Sequence, residues 1–505
     1  MGKLVVYSEC DSDARVLADL WRVYFPGARV EQAPGVQTGE TQTEGEQEET
    51  ASLHIQRNRA VNKTTAGFTV TLKYQGGSYT ETEGFYPDRR YEKAVNRERR
   101  MLRLAVHKLL TGQLRLFPSP WGILTGVRPT KVAQRLFEQG MSEQEISRYL
   151  LQDYGLAEKK ADFVTKIAVR ERPYLMARED LRKVVSLYVH IPFCPTRCRY
   201  CSFPSFSLKR WGYLLEDYLS ALGQEMQKVG AYMKEKGLHV QTVYIGGGTP
   251  TVLSAQQLGR LLGTIETSFT GFGSWELTVE GGRPDTLERE KLQILKRHGV
   301  TRLSVNPQTM SDKTLQRVGR EHTAEDILTV YKAARAMGFA VINMDLIIGL
   351  PGENREILSA TLEKIIRLQP ENITLHALAL KRASSYRQDP VALPGPQKGR
   401  ELMELAQTTL ERAGYLPYYL YRQKEILAHG ENVGYTLFWH PCIYNIQMIE
   451  ERQVILGFGV GAGSKFPDPV NETVENIYNP RDLPLYLARL AKIIQRKVDK
   501  LERFI

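Results

Sequence analysis

The stretch SLYVHIPFCPTRCRYCSFPSF, residues 186 to 206, is the part of the sequence from which the fold can be predicted. It opens with an apolar run that is typical of a buried β-strand. It continues into a loop in which Cys194, Cys198 and Cys201 stand at C-x3-C-x2-C spacing. Three of the five cysteines of the chain therefore fall within eight residues. A strand that ends in a loop of candidate ligands is typical of α/β proteins, whose chemistry collects where parallel strands end.

The number and spacing of these cysteines limit the kind of centre that they can form. Disulfides are disfavoured because five is an odd count and a chain of 505 residues can bury a core without them. Tetrahedral zinc would need a fourth ligand at finger-like spacing, and only His190 lies close, on the strand side. Clustered thiolates suit an iron-sulfur cluster, and three ligands on a four-iron cluster leave one iron open to another molecule. The plain alternative is a set of buried structural thiols.

The same residues resemble those of a known superfamily. C-x3-C-x2-C with an aromatic residue, here Tyr200, before the last cysteine resembles the motif of the radical S-adenosylmethionine (SAM) superfamily. More narrowly, YVHIPFC followed by CRYCSF resembles the oxygen-independent coproporphyrinogen III dehydrogenase family. The resemblance implies a 4Fe-4S cluster on Cys194, Cys198 and Cys201. The open iron of such a cluster binds SAM, and an electron from the cluster cleaves SAM to a 5'-deoxyadenosyl radical.

Length and composition are those of an ordinary globular protein, with 42% hydrophobic and 25% charged residues in 505. This length predicts two or three domains. The sequence has no run of about 18 consecutive apolar residues, and acidic residues come too early for a signal peptide. We therefore expect no membrane span and a cytoplasmic location.

The net charge of +11 favours an acidic partner. Charge alone does not distinguish nucleic acid, anionic lipid and a polycarboxylate small molecule.

Residues 1–175 are predicted to form a small α+β domain, to which the sequence assigns no role. Strand-like runs and one helical pattern lie in its first half, at 3–8, 14–25, 51–56 and 65–75. The acidic stretch 36–50 is too polar to bury and is expected to be a flexible loop or a strand edge. A GVRPTK-containing segment near residue 128 resembles the longer variant of the family.

A basic segment from Arg89 to Arg115 carries nine Lys or Arg residues against Glu92 and Glu98. Its apolar residues recur at helical spacing and predict a helix with one packed face and one strongly positive face. A solvated basic face is the commoner explanation of such a pattern, and a nucleic-acid surface is the alternative.

From about Val184 the sequence alternates short apolar strands with helical patterns. The predicted strands are 186–191, 242–247, 276–281, 302–307, 341–349 and 373–380. Six β/α units in a row predict a parallel sheet curved into a partial (β/α)6 barrel, which the resemblance identifies as a radical SAM barrel, over residues 176–394. Residues 395–505 are predicted to be mainly helical, and the resemblance implies that this region caps the substrate.

Glycines or polar residues follow each predicted strand. The second strand runs into GGGTP, residues 246–250, where glycines let a ligand approach the backbone. Later strands are followed by carboxylate, amide and guanidinium groups, which together suit a zwitterionic ligand that carries a ribose. Taken singly, each is equally explained as a tight turn or a cap at the barrel rim.

The resemblance assigns contacts with one SAM molecule, or with two, to these positions. For a first SAM it implies Tyr188, Gly247 and Glu280. For a second SAM it implies Tyr200, Gly248, Thr249, Gln308, Arg320 and Asp345, with Ala379 as a further backbone contact.

The function implied by the resemblance is oxidative decarboxylation of coproporphyrinogen III to protoporphyrinogen IX in anaerobic haem biosynthesis. A flavodoxin- or ferredoxin-type protein would donate the electrons. One residue departs from the pattern, because Phe203 stands where the best-studied members have a further cysteine. Related haem chaperones have phenylalanine there, which favours haem binding and transfer as a second function.

Other features bear on these alternatives. The chaperones' H-N-x-x-Y-W haem motif is absent, and the nearest similar cluster surrounds His440, Cys442 and Tyr444. A lone cysteine in an apolar stretch is more often a small buried hydrophobe than an iron ligand. A third function is radical SAM modification of RNA, with the basic helix after Arg89 as the RNA-binding element.

Overall fold

The computed structural model describes residues 2–33, 50–58, 66–85, 94–126, 128–177, 180–203, 205–269, 276–379, 384–387, 393–423, 426–468 and 473–505. The chain divides into two compact units, Met1–Val169 and Arg170–Ile505. Among the described residues, no helix is both long enough and apolar enough to cross a bilayer.

The first unit combines a mixed sheet with helices. Its strands are β1 (Lys3–Tyr7), β2 (Arg29–Gln32), β3 (Thr50–Asn58), β4 (Ala66–Tyr74) and β5 (Gly77–Phe85). Its helices are α1 (Asp13–Tyr24), α2 (Ala94–Lys108), α3 (Thr130–Glu138), α4 (Glu143–Tyr154) and α5 (Glu158–Glu171). The sheet order is β2-β1-β3-β4-β5, with β1 parallel to both neighbours. The strands and the helix predicted from residues 3–75 are confirmed, whereas the acidic stretch 36–50 lies outside the described residues except for Thr50.

Helix α2 carries most of the basic segment, of which residues 89–93 lie outside the described part of the chain. Arg97 and Arg100 are buried, so the predicted division into a packed apolar face and a positive outer face is wrong for these arginines. Arg100 donates to Asp153 at 3.2 Å, and its guanidinium lies 5.4 Å from the ring centre of Tyr149. A carboxylate and an aromatic face thus compensate the buried cation. These pairings reduce the support for an RNA-binding face.

The second unit contains the predicted barrel. Its strands are β6 (Val184–Ile191), β7 (Phe193–Cys194), β8 (Phe206–Ser207), β9 (His239–Gly247), β10 (Glu276–Glu280), β11 (Arg302–Ser304), β12 (Val341–Ile348), β13 (Asn372–Ala377), β14 (Leu416–Tyr421), β15 (Asn432–Thr436), β16 (Val454–Phe458), β17 (Gly463–Asp468) and β18 (Thr473–Tyr478). Its helices are α6 (Leu208–Trp211), α7 (Leu215–Glu235), α8 (Ala255–Ser268), α9 (Arg289–Arg297), α10 (Asp312–Arg317), α11 (Ala324–Ala336), α12 (Arg355–Leu368), α13 (Pro396–Arg412), α14 (Ile443–Glu450), α15 (Leu483–Ala488) and α16 (Leu490–Phe504).

Six strands, in the order β13-β12-β11-β10-β9-β6, pair in parallel, which confirms the predicted six β/α units. Their apolar runs are buried because helices cover a parallel sheet. The C-terminal region adds strands that the sequence did not predict. Strand β16 pairs in parallel with β6, and β15 pairs antiparallel with β13. Because the six strands are parallel, the residues that follow them meet at one edge of the sheet.

A buried ion pair fastens the C-terminal helix α16 to helix α7. Lys497 of α16 donates to Glu225 of α7, and both side chains are almost fully buried. Glu225 also accepts hydrogen bonds from Tyr486 Oη at 2.7 Å, Asn479 Nδ2 at 3.0 Å and the Gly459 amide at 2.8 Å. The carboxylate is therefore fully satisfied only while Lys497 is in place.

Replacing Lys497 by methionine should lower the free energy of unfolding by about 3–5 kcal/mol, because it leaves a buried carboxylate without its countercharge. The measurement is urea unfolding followed by circular dichroism. Lys492→Met, on the exposed side of the same helix, should change stability by less than about 0.5 kcal/mol. The E225Q/K497M double variant should recover part of the loss. Equal effects of Lys497→Met and Lys492→Met would contradict a stabilising role for the pair.

Candidate functional site

The three predicted cluster ligands lie in the loop that leaves the C-terminal end of β6. Cys194 is the last residue of β7, which pairs with β8 so that Cys194 lies opposite Ser207. Farther along, the Cys201 amide donates to the Cys198 carbonyl at 3.0 Å and closes a turn. The Arg199 amide donates to the Val318 carbonyl at 3.0 Å, which ties this turn to the end of α10. The loop is therefore held at both ends by backbone hydrogen bonds.

The GGGTP segment after β9 lies directly against this loop. The amides of Gly248 and Thr249 donate to the carbonyls of Ile191 and Phe193, each at 2.8 Å. The Thr249 hydroxyl lies 3.6 Å from Cys194 Sγ. A Cβ on Gly248 would lie 2.6 Å from the Phe193 carbonyl oxygen and 3.0 Å from Cys194 Sγ. Only glycine fits between the strand end and the first thiol.

Within the described residues, no group of three or more His, Cys, Asp or Glu side chains converges on a single metal ion. That result is compatible with a four-iron cluster, because each thiolate of such a cluster binds a different iron. Burial raises the pKa values of the Cys194 and Cys201 thiols. Iron would displace these protons on binding. The three thiolates are soft ligands, and backbone hydrogen bonds hold the loop that carries them. Both features fit a cluster held by Cys194, Cys198 and Cys201.

Glu280, the last residue of β10, is in contact with the GGGTP segment. It accepts hydrogen bonds from Tyr244 Oη at 2.5 Å and from the Gly247 amide at 3.1 Å. Burial raises the pKa of Glu280 to about 7. Burial, followed by the nearby Glu280 carboxylate, also raises the pKa of Tyr188. The structure thus brings Tyr188, Gly247 and Glu280 together, as expected of residues that contact one ligand.

Gln308, which follows β11, is hydrogen-bonded to Asp345 of the neighbouring strand β12. The Gln308 amide donates to the Asp345 carbonyl at 2.9 Å, and Gln308 adopts a positive φ of 67°. A non-glycine residue is rarely found there, and such strain is common at functional sites. Asn306 Nδ2 donates to Asp345 Oδ2 at 2.7 Å. Although burial raises the pKa of Asp345, hydrogen bonds from His376 and its other polar neighbours hold it below its usual value.

Gln308 Oε1 and Arg320 Nε are among the buried polar atoms of the described residues that have no hydrogen-bond partner. Each residue is 7% exposed. Arg320 Nη1 donates to the Asn306 carbonyl at 2.8 Å. Burial alone would lower the pKa of Arg320, but contact with Tyr200 and Cys198 raises it. Buried polar atoms are normally paired, so these two indicate that a polar ligand completes the site.

The remaining predicted contact, Ala379, lies after the end of β13 and forms an isolated antiparallel bridge with Ile426. Its position is at the same edge of the sheet as the other residues. The SAM contacts assigned to all of these positions stay predictions.

Arg283, which the sequence analysis did not single out, anchors the cysteine loop. It follows β10 in the segment GGRPDT and is 3% exposed. Its Nη1 donates to Thr196 Oγ1 at 2.7 Å, between the first two cysteines. Its Nε and Nη2 bind both oxygens of Asp285, at 3.1 and 3.0 Å. A strand end followed by a Gly-Gly-Arg turn is the signal from which this residue could have been found.

The sequence offers His190 as the nearest candidate for a fourth zinc ligand, and the structure gives it a different place. Its Nδ1 lies 2.5 Å from the Val460 carbonyl in the glycine-rich C-terminal segment. A Cβ on Gly247 would lie 1.9 Å from the His190 ring. His190 therefore packs the first strand against the glycine segment and against the C-terminal region.

Cys442 is buried away from the cysteine loop and does not present a thiolate. Its Sγ lies 3.5 Å from Glu276 Oε1, at the N-terminal end of β10. Burial, followed by the Glu276 carboxylate, raises the pKa of Cys442 to about 12. This agrees with the interpretation as a small buried side chain and disfavours Cys442 as a haem ligand.

The parallel strands, with a three-cysteine loop after the first and a glycine segment after the second, define a radical SAM protein. The Radical SAM superfamily model matches residues 188–365. The chain is 38% identical over 452 residues to the oxygen-independent coproporphyrinogen-III oxidase-like protein HemZ of Bacillus subtilis (strain 168), covering 88% of this chain and 89% of that protein. The chain therefore belongs to the oxygen-independent coproporphyrinogen-III oxidase-like family.

Two further relatives give the range of the similarity. The heme chaperone HemW of Bacillus subtilis (strain 168) is 33% identical over 237 residues, which span 46% of this chain and 62% of the chaperone. The structure of the coproporphyrinogen III oxidase HemN from Escherichia coli, a radical SAM enzyme, superposes with a TM-score of 0.51 at 25% identity. That match covers 62% of this chain and 70% of HemN.

Gly248→Ala should disturb the cysteine loop, because the added methyl group overlaps the Phe193 carbonyl and crowds Cys194. We expect the iron content after anaerobic reconstitution to fall at least several-fold, while the far-ultraviolet circular dichroism is retained. Gly263→Ala on α8 is the matched control, since nothing lies within 4 Å of its added Cβ. Full iron content in the Gly248→Ala variant would contradict the close approach of Gly248 to the Phe193 carbonyl and to Cys194 Sγ.

Glu280→Gln should change how stability depends on pH. The pKa of Glu280 rises from 4.5 to about 7 on folding, so this group lowers stability as pH rises through that window. The variant lacks this loss and should be more stable than the parent at pH 8, by roughly 1–3 kcal/mol. At pH 5 the difference should be much smaller. Urea unfolding at both values tests this, with exposed Glu290→Gln as a control. A pH-independent difference would contradict the prediction.

Proposed function

We propose that this protein catalyses the oxidative decarboxylation of coproporphyrinogen III to protoporphyrinogen IX. The observation that carries the proposal is the close approach of Gly248 and Arg320 to the cysteine loop, at a sheet edge where buried polar atoms of Arg320 and Gln308 have no hydrogen-bond partner. Similarity to the oxidase-like protein HemZ over 88% of the chain supports the choice of reaction. When bound, the cluster and SAM supply the one-electron reduction and the hydrogen abstraction with which this reaction begins.

The residues of the chain hold and orient these groups. Cys194, Cys198 and Cys201 would hold the cluster. Gly248 leaves room beside the first thiol, and the hydroxyl of Thr249 faces that thiol at 3.6 Å. Arg320 places a buried cation next to Cys198, where its charge would compensate the negative charge of a bound cluster. These roles are orientation, charge compensation and exclusion of water.

The second candidate function is haem binding and transfer. Phe203 and the 33% identity to HemW favour it. The burial of Cys442 and the absence of the chaperones' haem motif disfavour it.

The test is anaerobic incubation of the reconstituted protein with SAM, dithionite and coproporphyrinogen III, followed by mass spectrometry. We expect 5'-deoxyadenosine together with a product that has lost the carboxyl groups of two propionates. Cys194→Ala should abolish both products and the iron, because it removes a cluster ligand. Cys10→Ala, a cysteine of the first unit, should leave both unchanged.

The possible outcomes separate the candidates. Deoxyadenosine without decarboxylation would contradict coproporphyrinogen III as the substrate. The absence of both products from cluster-loaded protein, with stoichiometric binding in a haem titration, would favour haem handling.

A further inference from the structure

An exposed cationic and aromatic surface borders the cysteine loop. Between residues 193 and 215 the chain has four Lys or Arg residues and no Asp or Glu. We define the loop patch as Arg197, Phe203, Lys209, Arg210, Trp211 and Tyr213. Phe203 is 60% and Tyr213 73% exposed, and the three cations of the patch are exposed as well. Exposed large apolar side chains grouped in one short segment are typical of interaction surfaces.

The patch is attached directly to the first predicted cluster ligand. Strand β8 pairs with β7, which places Ser207 opposite Cys194. The Phe206 amide donates to the Pro192 carbonyl at 2.7 Å, and this fixes the start of α6. Arg197 lies between the first two cysteines, and Phe203 follows the third by two residues. A protein bound to the patch would therefore contact the loop that carries the cluster.

Aromatic contacts give this surface a defined shape. The rings of Phe206 and Trp211 are 5.5 Å apart, edge to face, and those of Trp211 and Tyr213 are stacked at 6.4 Å. The Arg210 guanidinium lies 5.4 Å from the ring centre of Trp211. Trp, Tyr and Arg are the residues enriched at the centres of protein interfaces.

Among the described residues, two acids close to the patch are already paired with other side chains. Glu216 is engaged by Arg260 at 2.7 Å and by Gln257 at 2.7 Å. Both oxygens of Asp285 accept hydrogen bonds from Arg283, through Nε and Nη2. Asp217 is an exposed acid at the start of α7. The patch therefore complements an acidic partner surface.

We propose that the loop patch is the docking site of a small acidic electron-carrier protein. This inference rests on the proposed function, because a cluster that cleaves SAM needs one electron from outside for each turnover. The reduced carrier loses one electron and the oxidised cluster gains it, and no bond is formed or broken. Redox encounters use small interfaces and depend on charge steering, which matches a patch of three cations and exposed rings on the segment that includes the cysteine loop.

The test compares a protein donor with a small-molecule donor. The K209E/R210E variant reverses the charge of the patch. The K228E/K234E variant makes the same change in net charge at exposed positions of α7. A purified low-potential flavodoxin is the probe. Its binding to each anaerobic, cluster-loaded protein is measured at low ionic strength, and the rate of cluster reduction is followed by stopped-flow absorbance with flavodoxin or with dithionite.

We expect K209E/R210E to weaken flavodoxin binding and to slow reduction by flavodoxin at least tenfold, since steering changes association rates by about 10- to 1,000-fold. Reduction by dithionite should be unchanged, and K228E/K234E should behave like the parent with both donors. Added salt should slow the parent with flavodoxin far more than the variant.

Two results would overturn the proposal. One is an unchanged rate with flavodoxin in K209E/R210E, and the other is an equal loss with flavodoxin and dithionite, which would indicate damage to the cluster loop. Binding and cluster reduction are measured without a tetrapyrrole. A failure of decarboxylation would therefore contradict the proposed substrate and leave the result for the patch intact.

Discussion

The close approach of the GGGTP backbone to the cysteine loop is the constraint on which the site depends. Two amides of this segment donate to the loop before and after Pro192, and Gly248 leaves no room for a side chain beside Cys194. The parallel pairing of β6 with β9 brings the two segments to the same edge of the sheet. The sheet register thus determines where the first thiol stands, and the thiol position determines where a cluster can form.

Much of this arrangement could be predicted because its signals are local. A buried parallel strand is a short apolar run, and the spacing of the three cysteines lies within eight residues. Among the strands that were not predicted, β16 depends on distant pairing. The sequence of strand β16 is only VILGF, and its pairing partner β6 lies more than 260 residues earlier in the chain. Next to this pairing, Ser186 Oγ donates a hydrogen bond to Gln453 Oε1. A pattern within a few residues of β16 cannot predict that β6 is its pairing partner.

Buried charges were the other part that the sequence did not reveal. Arg283 holds the cysteine loop and Lys497 holds the C-terminal helix, yet each is one cation among 68 in the sequence. Burial of a cation becomes favourable only when a carboxylate and further acceptors surround it. Those partners, Asp285 and Glu225, come from nearby and from distant chain positions respectively. The same reasoning explains why the basic helix α2 was expected to be more exposed than it is.

The position of Phe203 bears on how the departure from the family pattern should be understood. Its backbone amide donates to the thiol of Cys201 and lowers the pKa of that thiol against the larger effect of burial. Any residue at 203 except proline can supply this amide, so the hydrogen bond does not require a particular side chain. The phenyl ring itself points outward, with 60% of its surface exposed. A change from cysteine to phenylalanine at this position therefore alters the surface beside the cysteine loop and leaves the three thiols in place, which separates the question of radical chemistry from the question of substrate.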